Sequence, residues 1–256
     1  MGDEVVTKWR LSGAVVAATF AVAGCGSSQH ATDAAVSKAG PKRCHAGAVR
    51  RLETSSRGYA AFVRTRARAF ARPGAGAIAR FGRDNINGVP SVFSVRAAVL
   101  RRDCSVAWYR VQLPIKPNGR VGYVQARDVR LRRVRTRIGV DLSARRLSYF
   151  RDGRVVLRIR VGIGSPETPT PVGRFYVNQS FREEPAGPYG PAAIGISAYS
   201  PVLTTWDQAG PVAIHGTDRP WTIGRAASNG CIHVPNALVR RLFRITPVGT
   251  PVVIVA

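Results

Sequence analysis

The sequence predicts a mainly β protein, in which a small barrel is followed by a β-sandwich domain with one notable helix. The 17 Pro and 26 Gly among 256 residues interrupt long helices, and the 45% of hydrophobic residues suffices for a core. The third observation is a series of short apolar runs separated by turn signals such as Asn87-Gly88 and Asp152-Gly153. Short strands at this spacing are typical of barrels and sandwiches.

The N-terminal segment has the features of an export signal. Two basic residues precede an apolar run over 11–23, which is too short to span a bilayer but suits a secretory signal. The run ends in Val22-Ala23-Gly24-Cys25, which resembles a bacterial lipobox. This resemblance implies a lipoprotein signal peptide over 1–24, acylation of Cys25, and an extracytoplasmic protein anchored to the membrane at the cell envelope. An ordinary cleaved signal with an incidental Cys is the alternative.

Residues 25–63 are rich in small residues and Arg and show no sustained period, which predicts a tether. A small β module is predicted to follow over 64–132. Its predicted strands are 68–71, 78–81, 91–100, 108–113 and 122–125. The segments 108–114 and 117–124 resemble a bacterial SH3-like domain, which implies a spacer or a module that binds wall peptides.

The second half, 134–256, is predicted to form another β-rich domain. Alternation predicts a strand at 138–142, and Asp152-Gly153 predicts a hairpin between 147–150 and 155–161. Later apolar runs predict one strand that ends at Val177 and others at 192–197, 212–214 and 252–255. The amphipathic stretch Asn236–Phe243 predicts the helix, with Leu238 and Leu242 toward the core.

Two Gly-containing segments of this half carry residues for thiol chemistry. His215-Gly216-Thr217 follows an apolar strand, and Ser228-Asn229-Gly230-Cys231-Ile232-His233 comes later in the chain. A thiol reacts as its thiolate and needs a nearby base, for which His215 is the best candidate. A packed Cys and His in a core is the ordinary alternative, which the Ser-Asn-Gly sequence before Cys231 disfavours.

The second ring nitrogen of His215 needs an acceptor that fixes the tautomer. Asp207 and Asp218 are the carboxylates nearest in sequence, and a backbone carbonyl such as that of Gly216 would also serve.

The two segments resemble the L,D-transpeptidase catalytic domain of the YkuD type, whose signature is a His-Gly-Thr-like block followed by Ser-(His or Asn)-Gly-Cys. The resemblance extends over 134–256 and includes 141–143, 170–173 and 249–252. It implies a YkuD-type β-sandwich and a cysteine-dependent transferase that acts on peptidoglycan stem peptides. Cys231 would form a thioester with one stem, and an amine of a second stem would then complete a 3→3 cross-link.

The same resemblance implies supporting roles for neighbouring residues. The N–H groups of Gly230 and Cys231 would form the oxyanion hole, and Gly216, Ser228 and Asn229 would support the site. Thr217 and His233 are candidates for substrate binding. No cofactor and no metal are expected, and carbapenem-type inhibitors are expected to acylate Cys231.

One position departs from the family pattern. His233 stands where the family usually has Arg, so a fixed positive charge is replaced by a group that is only partly charged near neutrality. The substitution predicts altered or weaker substrate binding, with higher activity at mildly acidic pH. Asn229 in place of the commoner His is a tolerated variant.

Several alternatives use the same residues. Cys231, His215 and His233 could together hold zinc. Sortases also pair Cys with His but carry a Thr-rich segment before the Cys, and NlpC/P60-type peptidases place the Cys before the His. An enzyme that uses water would be an L,D-carboxypeptidase, and one that uses a protein amine would attach a lipoprotein to the wall. A wall-binding lipoprotein with a weakened catalytic domain is the non-enzymatic alternative.

If Cys25 is lipidated and Cys231 is catalytic, Cys44 and Cys104 remain and are predicted to form a disulfide outside the cytoplasm. The formal net charge of +25, with only four Lys among the 39 basic residues, favours anionic partners. GC-rich coding gives the same Arg bias. The Arg residues are spread along the chain without a nucleic-acid-binding motif, so no nucleic-acid partner is expected.

Overall fold

The structure, a computed structural model, describes residues 43–54, 57–205 and 207–256. The predicted signal peptide and Cys25 lie outside these ranges. Within them the chain is mainly β with a single α-helix, which confirms the predicted fold class. No helix of the described ranges is long and apolar enough to cross a membrane.

The first sheet is antiparallel, and its path of neighbouring strands is β4-β3-β7-β6-β5-β2-β8, with β1 paired to β5. Its strands are β1 (Val49–Arg51), β2 (Gly58–Val63), β3 (Arg66–Phe70), β4 (Ala77–Gly82), β5 (Val92–Leu100), β6 (Val106–Gln112), β7 (Val121–Gln125) and β8 (Val129–Val134). Strand β5 lies between β6 and β2 and is buried almost throughout. Phe93 and Val95 of β5 pack there against Val111 and Leu113.

The first sheet begins earlier than the sequence predicts. The tether predicted over 25–63 includes β1 and β2, and β2 pairs with both β5 and β8. Its Ala60 and Ala61 are fully buried. Because these side chains are small, the segment lacks the alternation of apolar and polar residues that predicts a strand. Its sequence therefore predicts a linker, although packing beside β5 and β8 buries both of its faces.

The segment before β1 is fixed to the same sheet. Cys44 and Cys104 form the disulfide that the sequence predicted. The N–H of Cys44 also donates to the carbonyl of Arg102 at 2.9 Å. The residues from Cys44 onward therefore belong to the first module.

The second sheet has the order β11-β10-β9-β18-β13-β14-β15-β17. Its strands are β9 (Thr136–Asp141), β10 (Arg146–Arg151), β11 (Arg154–Arg160), β13 (Gly173–Arg182), β14 (Ala192–Tyr199), β15 (Pro211–His215), β17 (Ile232–His233) and β18 (Pro251–Val255), and β12 (Ile163–Gly164) pairs with β16 (Ala226–Ser228) separately. The predicted hairpin is present, with Asp152 and Gly153 at φ 51° and 81°. Three strand pairs are parallel, β9 with β18, β15 with β17, and β12 with β16.

The helix, α1 (Asn236–Ile245), packs against β14 and β15. Val239 and Leu242 are its buried residues, while Leu238 is only partly buried against the core. The helix extends two residues beyond the predicted end at Phe243, since the N–H of Thr246 still bonds the carbonyl of Leu242 at 2.9 Å.

The two sheets belong to one compact unit and share a small core. Tyr176 of β13 is fully buried beside Ala60 and Val92 of the first sheet. Its hydroxyl donates to the carbonyl of Val92 at 2.9 Å. Buried apolar packing and a satisfied phenol therefore hold the first sheet against the second.

Candidate active site

One face of the second sheet forms the floor of a cleft of about 1070 Å³. The strand register sets Gln179, Gly195 and Ala213 directly opposite one another on β13, β14 and β15. Because Ile214 pairs with Ile232, Cys231 lies at the end of this row, beside Ala213. The thiol thus terminates a row whose middle positions are small.

A second row runs beside the first. Phe181, Ala193, His215 and His233 are successive partners across β13, β14, β15 and β17. Side chains two apart on a strand share a face, so His215 lies on the same face as Ala213. The sheet register thereby brings both predicted catalytic residues into one cleft.

The segment that carries Cys231 is a tight turn between β16 and β17. The Ser228 hydroxyl donates to the carbonyl of Cys231 at 2.6 Å and accepts from the N–H of Gly230 at 3.2 Å. Gly230 has φ 105°, a conformation that favours glycine. Ser165 and Thr168 both donate to the carbonyl of Ser228, at 2.9 and 3.0 Å, which fixes the start of the turn.

The thiol of Cys231 is half-buried and faces the cleft. Its Sγ accepts from the backbone N–H of Ala213 at 3.4 Å. Burial raises the pKa of the Cys231 thiol, and the Ala213 N–H opposes this rise. Cys231 is therefore a neutral thiol at neutral pH.

His215 is buried, with 3% of its surface exposed. Its Nδ1 lies 2.5 Å from the carbonyl oxygen of Gly216, so Nδ1 carries the proton and Nε2 is left as the acceptor. Gly216 thus provides the acceptor, rather than Asp207 or Asp218. Burial, followed by the nearby His233, lowers the pKa of His215 to about 4, so the ring is neutral and can accept a proton.

His233 lies next to His215, with ring centroids 4.8 Å apart. Its Nδ1 is 2.8 Å from the Thr222 hydroxyl, which itself donates to the carbonyl of Arg219 at 2.7 Å. Because a hydroxyl has one proton, the Nδ1 of His233 must be the donor in this pair. Burial lowers the pKa of His233, and Arg219 lowers it further against the opposing effect of Asp218.

The remaining predicted site residues have different positions. Asn229 is exposed at the rim of the cleft, and Thr217 is buried in its wall. The N–H of Gly230 already donates to Ser228, so of the two predicted oxyanion-hole donors only that of Cys231 has no protein acceptor in the described ranges.

Three residues that contact the candidate site, Asn236, Tyr189 and Thr222, were not predicted from the sequence. Asn236 accepts from the N–H of Thr217 at 2.8 Å and donates to its carbonyl at 3.1 Å, which braces the segment after His215. Tyr189 contacts the edge of His215 with ring centroids 4.9 Å apart. An aromatic residue in the Gly- and Pro-rich stretch 187–191 was a usable signal, whereas Thr222 had none.

The zinc alternative required Cys231, His215 and His233 to converge on one point. In the part of the chain that the structure describes, no three His, Cys, Asp or Glu side chains form a group that could hold a metal ion. The Nδ1 of each ring is also engaged, by Gly216 and by Thr222. The geometry fits a thiol–imidazole pair instead.

Comparisons with known proteins concern the second half of the chain. Residues 135–254 match the L,D-transpeptidase catalytic domain family, YkuD. The chain is 32% identical over 126 residues to the putative L,D-transpeptidase YqjB of Bacillus subtilis, covering 45% of this chain and 68% of that protein. It is 34% identical over 117 residues to the putative L,D-transpeptidase YkuD of the same organism, covering 46% of this chain and 64% of that protein.

Among solved structures, the chain is similar to the catalytic domain of the E. faecium L,D-transpeptidase acylated by ertapenem. The identity is 28% and the TM-score 0.35, covering 47% of this chain and 96% of that one. On the family match and the YqjB relationship together, the chain belongs to the YkuD family of L,D-transpeptidase catalytic domains.

Proposed function

We propose that the protein is a peptidoglycan L,D-transpeptidase in which Cys231 is the nucleophile and His215 the base. The observation that carries this proposal is the half-buried thiol of Cys231 in a cleft beside a buried imidazole whose free nitrogen is Nε2. A neutral thiol and a neutral imidazole are the forms from which a proton can move as the thiol attacks.

The acylation step uses one donor stem peptide. Sγ of Cys231 attacks the carbonyl carbon of the third residue of a tetrapeptide stem, which is bonded to the terminal D-Ala. At the same time, Nε2 of His215 takes the thiol proton. The tetrahedral intermediate collapses to a thioester, and the terminal D-Ala leaves as an amine that receives the proton from His215. The backbone N–H of Cys231 is the candidate donor to the oxyanion, and that of Gly230 joins it only by leaving Ser228.

The second step consumes the thioester. An amine of a neighbouring stem attacks the thioester carbonyl, His215 takes the amine proton, and Cys231 leaves as the thiol when that proton returns to sulfur. The product is a 3→3 cross-link. Water in place of the amine gives the L,D-carboxypeptidase reaction, and a protein amine gives attachment of a lipoprotein to the wall.

The proposed location rests on the N-terminal sequence. We propose an extracytoplasmic lipoprotein held by acylated Cys25, with the first module as an SH3-like spacer between tether and catalytic domain. The Cys44–Cys104 disulfide fits an oxidising compartment outside the cytoplasm. Labelling with a radioactive fatty acid, compared between wild type and Cys25→Ala, tests the anchor.

The enzymatic proposal is tested by mass spectrometry on the purified protein. We expect a carbapenem to add covalently to wild type, with the adduct mapped to Cys231 and absent from Cys231→Ala. Incubation with a disaccharide-tetrapeptide is expected to yield a dimer that lacks one D-Ala. Release of D-Ala without a dimer would indicate the carboxypeptidase, and no adduct and no turnover would support the non-enzymatic wall-binding lipoprotein.

A further inference from the structure

We propose that a loop of the first module completes the substrate channel and that Gln179, held by this loop, binds the distal end of the donor stem peptide. The loop, residues 83–91, joins β4 to β5. This inference rests on the proposed function, because it names a further contact for the same donor substrate.

The channel floor between Cys231 and Gln179 has unusually small side chains. Gly195 and Ala213 are the two residues between them in the cross-strand row. A Cβ on Gly195 would lie 2.6 Å from Cγ of Gln179, so the Gln179 side chain extends over this glycine. Because residue 195 has no side chain, there is room for both the Gln179 side chain and a ligand that runs across the strands.

The 83–91 loop fixes the Gln179 amide in one orientation. Oε1 of Gln179 accepts from Nδ2 of Asn85 and from Nδ2 of Asn87, both at 3.0 Å. Gln208 closes the cluster, since its Nε2 donates to Oδ1 of Asn87 at 2.9 Å. Asn87 itself lines the catalytic cleft, although it belongs to the first module.

The loop that presents these amides is internally braced. Oδ1 of Asn85 accepts from the N–H of Asn87 at 2.9 Å, and the N–H of Asn85 donates to the carbonyl of Val89 at 2.8 Å. The N–H of Ser91 donates to the carbonyl of Arg83 at 2.8 Å. A loop with these bonds can hold a ligand contact without being reordered on binding.

One part of the cluster has no protein partner. Both donors on Nε2 of Gln179 lack an acceptor in the described ranges, whereas Oε1 is doubly bonded. The amide therefore offers N–H groups to the cleft and can bind a carbonyl oxygen of a ligand. The same amide does not accept a hydrogen bond from an N–H of the ligand, because its oxygen already accepts two hydrogen bonds from the loop.

The length of the channel matches the donor. The Gln179 side chain lies over Gly195, so its amide and Cys231 are separated by two strand spacings of about 4.8 Å, which is about 10 Å in total. An extended peptide covers this distance with about three residues. From the carbonyl attacked by Cys231, the chain thus reaches the first stem residue and the lactyl carbonyl that precedes it, and we assign this carbonyl to Gln179.

The test compares two donors in the full-length protein. One is the disaccharide-tetrapeptide, and the other is an N-acetylated dipeptide that has only the third and fourth stem residues. Gln179→Glu keeps an acceptor for Asn85 and Asn87 but has no N–H to donate. We expect this variant to lower the ratio of kcat/KM for the long donor over the short donor about tenfold, mainly through KM, since one hydrogen bond is lost.

Ile86→Ser is the matched control, because Ile86 is on the same loop and 82% exposed, and it does not line the catalytic cleft. The ratio is expected to stay at the wild-type value in this variant. An unchanged ratio in Gln179→Glu would overturn the inference, as would an equal change in Ile86→Ser. Failure of the proposed function is distinguishable, because wild type would then turn over neither donor and form no carbapenem adduct at Cys231.

Discussion

His215 and His233 are cross-strand partners whose ring centroids lie 4.8 Å apart, and each ring has its Nδ1 proton bound to a different acceptor. Burial lowers the pKa of both rings. Because the rings are close, a charge on one of them also disfavours protonation of the other. The pair therefore presents two neutral rings in the cleft that also holds the Cys231 thiol, whose pKa is raised. The resting site is a neutral pair rather than a thiolate–imidazolium pair.

The first prediction concerns the pH dependence of the thiol. With the pKa of His215 at about 4 and that of Cys231 raised, the fraction of thiolate should keep growing as the pH rises above neutrality. The rate of iodoacetamide labelling at Cys231, measured by peptide mass spectrometry, is expected to increase steadily from pH 6 to pH 9. A plateau of fast labelling below pH 7 would mean that an ion pair exists in the resting enzyme.

The second prediction concerns stability. The folded pKa of His215 lies below its unfolded value of 6.5, so its contribution to stability is full above pH 6.5 and is lost as the pH falls toward 4. The expected loss is on the order of 3 kcal/mol. Urea denaturation at pH 7.5, 6.0 and 4.5 should show a steeper loss for wild type than for His215→Gln. Parallel curves for the two proteins would contradict the buried neutral ring.

The structure also changes the expectation for His233. The sequence predicted a ring that is partly charged near neutrality and a gain in activity at mildly acidic pH. Because burial lowers the pKa of His233, the ring carries less charge at each pH than an exposed histidine would. Any gain in activity that depends on the charge of His233 is therefore expected at a lower pH than the sequence predicted.

The third prediction tests the bond that orients His233. Thr222→Val keeps the side-chain shape but removes the acceptor for Nδ1 of His233. We expect carbapenem acylation of Cys231 to slow several-fold, because the ring can then adopt the other tautomer beside His215. In a background of His233→Ala the same substitution should add little, since the two residues act through one bond. Fully additive effects on the acylation rate would argue against this coupling.

The fourth prediction concerns Asn236, which holds both backbone groups of Thr217. Asn236→Ala leaves the N–H of Thr217 buried without an acceptor, which should cost about 2 kcal/mol of unfolding free energy and slow acylation. Asn236→Asp retains the acceptor and should cost less. Urea denaturation and the acylation rate are measured on both variants, and equal losses would show that the Thr217 N–H is not the critical group.

Local features of the fold were predictable from the sequence, and contacts between distant segments were not. The Asp152-Gly153 hairpin follows from residues that tolerate positive φ, and the helix at 236–245 follows from its own amphipathic period. Strand β2 lies within the predicted tether, because its two buried alanines give no alternation that would predict a strand.

The proposed catalytic pair follows from its motif, whereas its surroundings depend on the sheet register. The parallel pairing of β15 with β17 sets His215 opposite His233, and no local pattern specifies that pairing. Asn87 enters the cleft only because the first module packs on the second sheet. Contacts of this kind are set by the docking of two cores and have no signature in a single segment.

The last prediction concerns that docking. Glu53 is 8% exposed and binds Arg96 of the first sheet and Arg174 of the second, the latter at 3.1 Å. Gln112 also bonds Arg96, and it donates to the carbonyl of Arg174 at 2.7 Å, so one polar network crosses the boundary. Removing the carboxylate charge leaves the partly buried Arg96 without its counter-ion, which is strongly destabilising.

Glu53→Gln should therefore lower the free energy of unfolding by about 3 kcal/mol. The exposed pair of Arg135 and Asp152 provides the control, since its side chains are 61% and 44% exposed and Arg135→Gln should change stability by about 0.5 kcal/mol or less. Urea denaturation of both variants, with carbapenem acylation as the check on folding, measures the difference. Equal effects in the two variants would mean that Glu53 contributes no more than a surface charge to holding the modules together.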